Sequence, residues 1–403
     1  MVAEIPIALI LVGIAAYVVL AGADFGAGFW TLVSRSGRAG REAARDHGRH
    51  AMGPVWEANH VWLVFILVVC WTAYPVAFAS TTSTLSVPLF IAAVGIILRG
   101  ASYALRGQLE GASGRRAIES VFALSSILTP FALGTVAGAI AAGRVPVGNA
   151  EGNLLTSWLN PTSITIGALA VATSAYLAAV YLAADARALG ARALEIDFRS
   201  RALAAGLAAG AVAVSALLVV RADAPDLWKG FERGGALAMI VVSAVAGVST
   251  LLLVWRSRFG PARVSAAIAV AAIVAGWALA QRPRFLPGLT VTEAAAGRST
   301  LLAVVIAVAV GALVLVPALA LLFTLFLRGR LSGLEDAHPT DVRIEVPARR
   351  SRPLGPVAVS LLLAGVFVTV VADGGWARIV GVVCLFGGAV STFALATAPV
   401  DDD

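Results

Sequence analysis

Two acidic residues lie inside apolar segments of the sequence, where a charged side chain is unfavourable. Asp24 is in the stretch LAGADFGAGFW, and Glu57 is in PVWEANHVW. An ionisable residue at membrane depth usually marks a proton or ion route, or a binding site. Two carboxylates at successive membrane depths on neighbouring helices could relay protons. Asn59 and His60 would be neighbours of that route. The alternative is that both acids only hydrogen-bond adjacent helices.

Residue types that hold metals and haem are scarce at this depth. The sequence has four histidines, three methionines and two cysteines. Haem iron is usually held by His, Met, Cys or Tyr side chains. Of the histidines only His60 lies within an apolar segment, whereas Cys70 and Cys384 are isolated from each other and from it. We therefore predict no metal site, no haem bound directly by this chain and no disulfide framework.

Three further polar residues, Arg99, Tyr103 and Arg106, occupy the stretch LRGASYALRG at the end of the third apolar segment. Long basic side chains near a helix end commonly extend to the membrane interface. We expect that position for both arginines. An anionic lipid or a quinone head group could also bind there.

The composition shows which elements must position these residues. The chain has 403 residues, of which 59% are hydrophobic and 13% are charged, with a mean hydropathy of +0.90. A soluble domain carries roughly 25% charged residues, and a spanning helix needs about 20 apolar ones. The pattern therefore predicts an all-α polytopic membrane protein with about eleven transmembrane helices. They are expected at 5–33, 55–78, 85–105, 118–142, 163–184, 202–220, 236–255, 264–280, 300–327, 356–372 and 379–397.

The distribution of basic residues predicts the orientation. Of the 30 Lys and Arg residues, 22 follow odd-numbered helices. Positive charge is retained on the cytoplasmic side, so the N-terminus is expected outside and the C-terminus in the cytoplasm. The net charge of +7 then reflects topology, and no nucleic-acid partner is predicted. Because no basic residue precedes the first apolar segment, we expect a retained helix there and not a cleaved signal.

A charged, proline-containing stretch at 328–355 interrupts the apolar pattern. It predicts a cytoplasmic linker. The linker would separate a nine-helix core at 1–327 from an extra transmembrane hairpin with an acidic tail at 356–403.

The stretch from Asp24 to Arg106 resembles subunit II of the cytochrome bd-type quinol oxidases. The resemblance rests on several motifs taken together, and it extends over about the first 200 residues. These motifs are DFGAG at 24–28, PVWEANHVW at 54–62, LRGASYALRG at 98–107, TPFALGTVAG at 129–138 and WLNP at 158–161.

The resemblance implies both an architecture and a function. Members of this family have nine helices, arranged as two four-helix bundles plus a peripheral helix. They form a heterodimer in the bacterial cell membrane with subunit I, which carries two b-type haems and one d-type haem. That complex oxidises quinol and reduces oxygen to water with cytoplasmic protons. Carried over to this sequence, subunit II supports subunit I and supplies Asp24 and Glu57 to the proton pathway.

Two departures from the family leave alternatives open. Position 57 is Glu, where some relatives have Asp, and the helices at 356–397 have no family counterpart. That pair could replace a small single-helix accessory subunit or pack against membrane lipids, and a structural quinone is a further candidate ligand. An independent transporter, or a purely structural scaffold in which Asp24 and Glu57 serve only assembly, are the competing functions.

Overall fold

The computed structural model describes residues 2–33, 47–48, 56–105 and 112–327, together with nine separate positions between 357 and 387. The predicted linker at 328–355 and most of the predicted C-terminal hairpin lie outside the described residues. The chain divides into two compact units, Met1–Ala318 and Leu319–Asp403. The site lies in the first unit.

Helices account for nearly all of the described structure. A 3₁₀ turn at Val2–Glu4 leads into the first helix. The α-helices are α1 Ile5–Val33, α2 Trp56–Ala73, α3 Pro75–Thr84, α4 Ser86–Leu105, α5 Ala112–Ala141, α6 Pro161–Ala188, α7 Arg192–Asp223, α8 Pro225–Phe231, α9 Gly234–Trp255, α10 Phe259–Gln281, α11 Val291–Ala294 and α12 Arg298–Leu327. Two short strands, β1 Arg284–Leu286 and β2 Leu289–Thr290, pair in antiparallel fashion between α10 and α11.

The all-α polytopic membrane fold is confirmed. Among the described residues, eight helices are long and apolar enough to cross a membrane. The predicted segment 55–78 corresponds to α2 and the start of α3, which are separated at Tyr74. Pro75 begins α3, because proline lacks the N–H that a helix interior needs and fits a first turn. The predicted orientation and the division into two four-helix bundles stay predictions.

Helix α1 packs against four others, namely α2, α5, α6 and α10. Its glycines permit this close approach, since helices in lipid associate by tight packing of small residues. A side chain at Gly26 would overlap the backbone carbonyl of Ser174 on α6, and one at Gly28 would overlap the hydroxyl of Ser126 on α5. The DFGAG motif is therefore a packing surface that brings α1 against both neighbours.

Several arginines satisfy carbonyl groups near the C-terminal ends of helices. Arg199 on α7 donates from Nε to the Val254 carbonyl of α9 at 3.1 Å. Arg263 on α10 donates from Nη2 to the Tyr181 carbonyl of α6 at 3.0 Å and pairs with Asp185. Val254 is next to the end of α9, where carbonyls lack intrahelical partners and carry partial negative charge, which basic side chains stabilise. These arginines therefore connect α7 to α9 and α10 to α6, in addition to any part they play in setting the orientation in the membrane.

Candidate functional site

The centre of the site is an ion pair between Asp24 of α1 and Arg99 of α4. Arg99 Nη2 donates to the carboxylate Oδ1 at 2.5 Å and to the backbone carbonyl of Asp24 at 2.9 Å. The Arg99 and Asp24 side chains are 1% and 0% exposed, respectively. A charge removed from solvent needs a paired counter-charge and further hydrogen bonds. Each of these groups supplies the counter-charge of the other.

Aromatic rings and a hydroxyl complete the surroundings of the Arg99 guanidinium. Its Cζ atom lies 4.3 Å from the ring centre of Phe122, 5.0 Å from Phe25 and 5.8 Å from Tyr103. Ring faces attract a cation, and more strongly when water is excluded. Arg99 Nη1 also donates to the hydroxyl of Ser126 on α5. The guanidinium therefore links α1, α4 and α5 inside the protein.

This burial corrects the expected position of Arg99. The side chain is enclosed by protein, where it pairs with Asp24. Tyr103 points to the same place, with its hydroxyl 3.5 Å from Asp24 Oδ1. Arg106 lies outside the described residues, so its contact with a lipid or quinone head group stays a prediction. The sequence held a signal for the pairing, since one acid and one base each occupy an apolar segment.

The register between α1 and α2 sets the height of the second acid. The helices run antiparallel, with Asn59 Nδ2 donating to the Leu20 carbonyl at 3.4 Å and Phe65 packed against Gly13. Glu57 lies two residues before Asn59. Because the helices are antiparallel, its backbone lies opposite the part of α1 that is two residues after Leu20. At 1.5 Å per residue this is within about 3 Å of Asp24 along the axis. The two acidic positions thus lie at nearly the same level along the paired helices, whereas the sequence predicted two successive depths.

The two candidate neighbours on α2 are brought to α1. Asn59 is 2% exposed. The ring of His60 meets the ring of Tyr17 edge to face, with centroids 6.4 Å apart. Tyr17 was missed as a candidate, because an aromatic residue in an apolar helix is usually part of the core. It lies two helical turns from Asp24, a spacing that places both on one face of α1.

The described residues show no cluster of three or more His, Cys, Asp or Glu side chains suited to a metal ion. His47 Nε2 lies 3.0 Å from the Leu182 carbonyl, and its ring packs on Phe198 with centroids 5.7 Å apart. That ring is thus engaged by protein on two sides.

The chain matches several known proteins. Residues 2–326 match the family model described as cytochrome bd terminal oxidase subunit II. Two relatives come from Bacillus subtilis strain 168. A cytochrome bd ubiquinol oxidase subunit 2 is 27% identical over 117 residues, which are 29% of this chain and 33% of that protein. A chain named as a putative cytochrome bd menaquinol oxidase subunit II is 22% identical over 240 residues, covering 59% of this chain and 68% of the relative.

The fold also matches a solved structure. The bd oxidase from Geobacillus thermodenitrificans contains a chain that aligns with a TM-score of 0.68 and 27% sequence identity. The alignment covers 81% of this chain and 98% of that one. The resemblance first seen in the DFGAG, PVWEANHVW and LRGASYALRG motifs is confirmed. Since the family model spans most of its length, the chain belongs to the cytochrome bd terminal oxidase subunit II family, multi-pass proteins of the bacterial cell membrane.

Proposed function

We propose that this chain is the non-haem subunit of a cytochrome bd-type oxidase that oxidises quinol and reduces oxygen to water. It supports a haem-bearing subunit I, which holds the two b-type haems and the d-type haem, and it contributes a path for protons from the cytoplasm. The buried Asp24 carboxylate carries this proposal. Family membership supports the complex, and the chemistry of this carboxylate supports the path.

The carboxylate has one oxygen engaged and one available. Oδ1 accepts from Arg99, whereas Oδ2 is buried and has no hydrogen-bond partner among the described residues. Arg99 supplies the positive counter-charge for this carboxylate inside the protein. The available oxygen can then accept a hydrogen bond from a water molecule and attract a proton moving along it. Glu57, close to the same depth on α2, is the second proposed carboxylate, with Asn59 and His60 as neighbours.

A purely structural role is the second candidate, and the same ion pair favours it. Arg99 connects α4 to Asp24 on α1 and to Ser126 on α5. Loss of Asp24 would leave the guanidinium buried without its counter-charge. Removing one partner of a buried pair costs about 3–5 kcal/mol, whereas replacing both can be neutral. The difference between the single and the double replacement therefore distinguishes a role of Asp24 in assembly from a role in proton transfer.

We predict different outcomes for Asp24→Asn alone and for Asp24→Asn combined with Arg99→Gln. The single variant should assemble poorly, because the Arg99 charge is no longer balanced. The double variant should recover the yield of haem-loaded complex, because no buried charge remains. Oxygen uptake with a quinol substrate should stay well below wild type in both variants, by roughly tenfold or more if a positioned proton-transfer group is lost.

Haem absorbance and the amount of both subunits are measured beside oxygen uptake, so that turnover is expressed per assembled complex. Wild-type turnover in the double variant would show that Asp24 serves assembly alone. A quinone or lipid head group near Arg106, and small accessory subunits, remain proposed partners that this experiment does not address.

A further inference from the structure

The short turn between α9 and α10 carries two arginines whose charge is not balanced. Arg256 and Arg258 lie in this turn, and both are exposed. Neither side chain forms an ion pair or a hydrogen bond within the part of the chain that the structure describes. Both guanidinium groups are therefore available to a ligand.

Two further arginines reach the same turn from neighbouring helices. Arg187 of α6 donates from Nη1 to the Ser257 carbonyl, and Arg199 of α7 donates from Nη2 to the Trp255 carbonyl. These acceptors are neutral carbonyl groups, so they hold the arginines in place without cancelling their charge. The four residues together form what we call the arginine patch: Arg187, Arg199, Arg256 and Arg258.

The acidic residues at these helix ends do not neutralise the arginine patch. Each is already paired with an arginine: Asp185 with Arg263, Asp197 with Arg201, and Glu195 with Arg187 and Arg192. Arg199, Arg256 and Arg258 have no acidic partner among the described residues. The predicted orientation places the patch on the cytoplasmic side, where the surface of a membrane is negatively charged.

An exposed apolar strip adjoins the arginine patch along α7 and α9. The two helices lie side by side, since a side chain at Gly206 would come within 2.6 Å of Leu251. Trp255, at the end of α9, is 60% exposed, and tryptophan favours the level of lipid head groups. Three leucine and valine side chains next to this contact are at least half exposed: Leu207, Val248 and Leu252.

We propose that the arginine patch and the adjoining apolar strip between α7 and α9 bind an anionic phospholipid. Its phosphate group pairs with Arg256 and Arg258, because guanidinium groups offer several donors to one phosphate. Its acyl chains lie along the strip, and Trp255 lies between the two parts. Charge complementarity favours an anionic lipid over a neutral one. The site is separate from the Asp24 ion pair and does not rest on the proposed oxidase function.

The test counts lipid molecules bound to the purified chain, together with any subunit that it retains, by native mass spectrometry in detergent. Phosphatidylglycerol is titrated into wild type and into a variant that combines Arg256→Gln with Arg258→Gln. Binding of the first phosphatidylglycerol should weaken by at least about tenfold, since each basic group near the surface adds to the attraction of an anionic lipid. Phosphatidylcholine, which has no net charge, should bind wild type no better than phosphatidylglycerol binds the variant.

The matched control combines Arg233→Gln with Arg298→Gln. Both arginines are exposed, and they lie on the opposite side of the predicted topology. This variant loses the same charge and should bind phosphatidylglycerol like wild type. Equal weakening in both variants would show a general electrostatic attraction and overturn the site. Equal melting temperatures of all three proteins without added lipid would confirm that the substitutions leave the fold intact.

Other occupants of the patch would give different results. Undiminished phosphatidylglycerol binding in the Arg256 and Arg258 variant would overturn the proposal. Inorganic phosphate that raises the melting temperature as much as phosphatidylglycerol does would show a site for a free anion and overturn the lipid assignment. Lipid binding that appears only after removal of the acidic residues 401–403 would assign the patch to the chain's own tail.

Discussion

At the scale of single residues, the ion pair between Asp24 and Arg99 is better explained by function or specificity than by net stability. Two charges removed from water lose hydration that their attraction only partly recovers, and apolar replacements are often as stable. The pair nevertheless holds the Asp24 carboxylate in one orientation, with Oδ1 fixed by Arg99 and Tyr103 at 3.5 Å. A carboxylate held in this way presents its second oxygen reproducibly.

Glu57 provides a prediction at this scale. Glu57→Gln keeps the size of the side chain and removes its charge at nearly the depth of Asp24. We expect oxygen uptake of the assembled complex to fall by roughly tenfold, because a carboxylate of the path is lost. Glu195→Gln is the control, since Glu195 is a buried glutamate on α7 near Arg187 and Arg192. Unchanged turnover in Glu57→Gln, with intact haem spectra, would remove Glu57 from the pathway.

At the scale of secondary-structure elements, α1 is positioned by its small residues and by its N-terminal end. Tyr74, between α2 and α3, is fully buried; its hydroxyl donates to the Ala3 carbonyl at 2.5 Å and accepts from the Ile7 N–H at 2.9 Å. Gly26 and Gly28 determine how closely α6 and α5 approach further along the helix. These contacts together fix the height and rotation of α1, and hence the direction in which Asp24 points.

Gly26→Ala tests this packing. The added methyl would overlap the Ser174 carbonyl, which belongs to a helix backbone and cannot move alone. Overpacking of this kind costs about 1–3 kcal/mol. We expect a lower yield of assembled complex and a lower melting temperature by fluorescence or haem absorbance.

The matched substitution is Gly210→Ala on α7, where an added methyl would meet no atom within 4 Å. Alanine favours a helix over glycine by about 1 kcal/mol, so this variant should be as stable as wild type or slightly more stable. A Gly26→Ala protein that melts like Gly210→Ala would show that α1 and α6 tolerate a wider separation.

At the scale of the whole molecule, the presence of a partner subunit distinguishes the proposed oxidase subunit from an independent transporter. Many apolar side chains of the described helices are exposed in this chain alone; in α9 they include Val241, Val245 and Val248 at 53%, 60% and 57%. Lipid and a partner subunit can both cover such surfaces. The family model and the solved bd oxidase favour a partner with haem.

We therefore expect a tagged form of this chain, solubilised in mild detergent from its native membrane, to co-purify with a second polytopic subunit. The sample should show the absorbance of b-type and d-type haem and should consume oxygen with quinol. The Gly210→Ala chain should retain the partner and serves as a positive control. Recovery of the folded chain alone, with no haem in the sample, would contradict the oxidase assignment and favour the transporter.

The sequence alone was sufficient for the class of fold and for two carboxylates of interest. Apolar length and the unfavourable energy of a buried charge are local properties of the chain, so the helical segments and the unusual positions of Asp24 and Glu57 can be identified without coordinates. The helix break at Tyr74 was missed, because an apolar segment continues through Pro75 and its length does not reveal a change of direction.

Only the tertiary structure decided which side chains meet. Arg99 was expected at the interface but lies against Asp24, and Tyr17 lies beside His60. Such contacts depend on the rotation of each helix about its axis and on the register between neighbours. Those two quantities are set by close packing at Gly13, Gly26 and Gly28, which hydrophobic length does not specify. The level of Glu57 relative to Asp24 differs from the prediction for the same reason, because it follows from the register between α1 and α2 at Leu20 and Asn59.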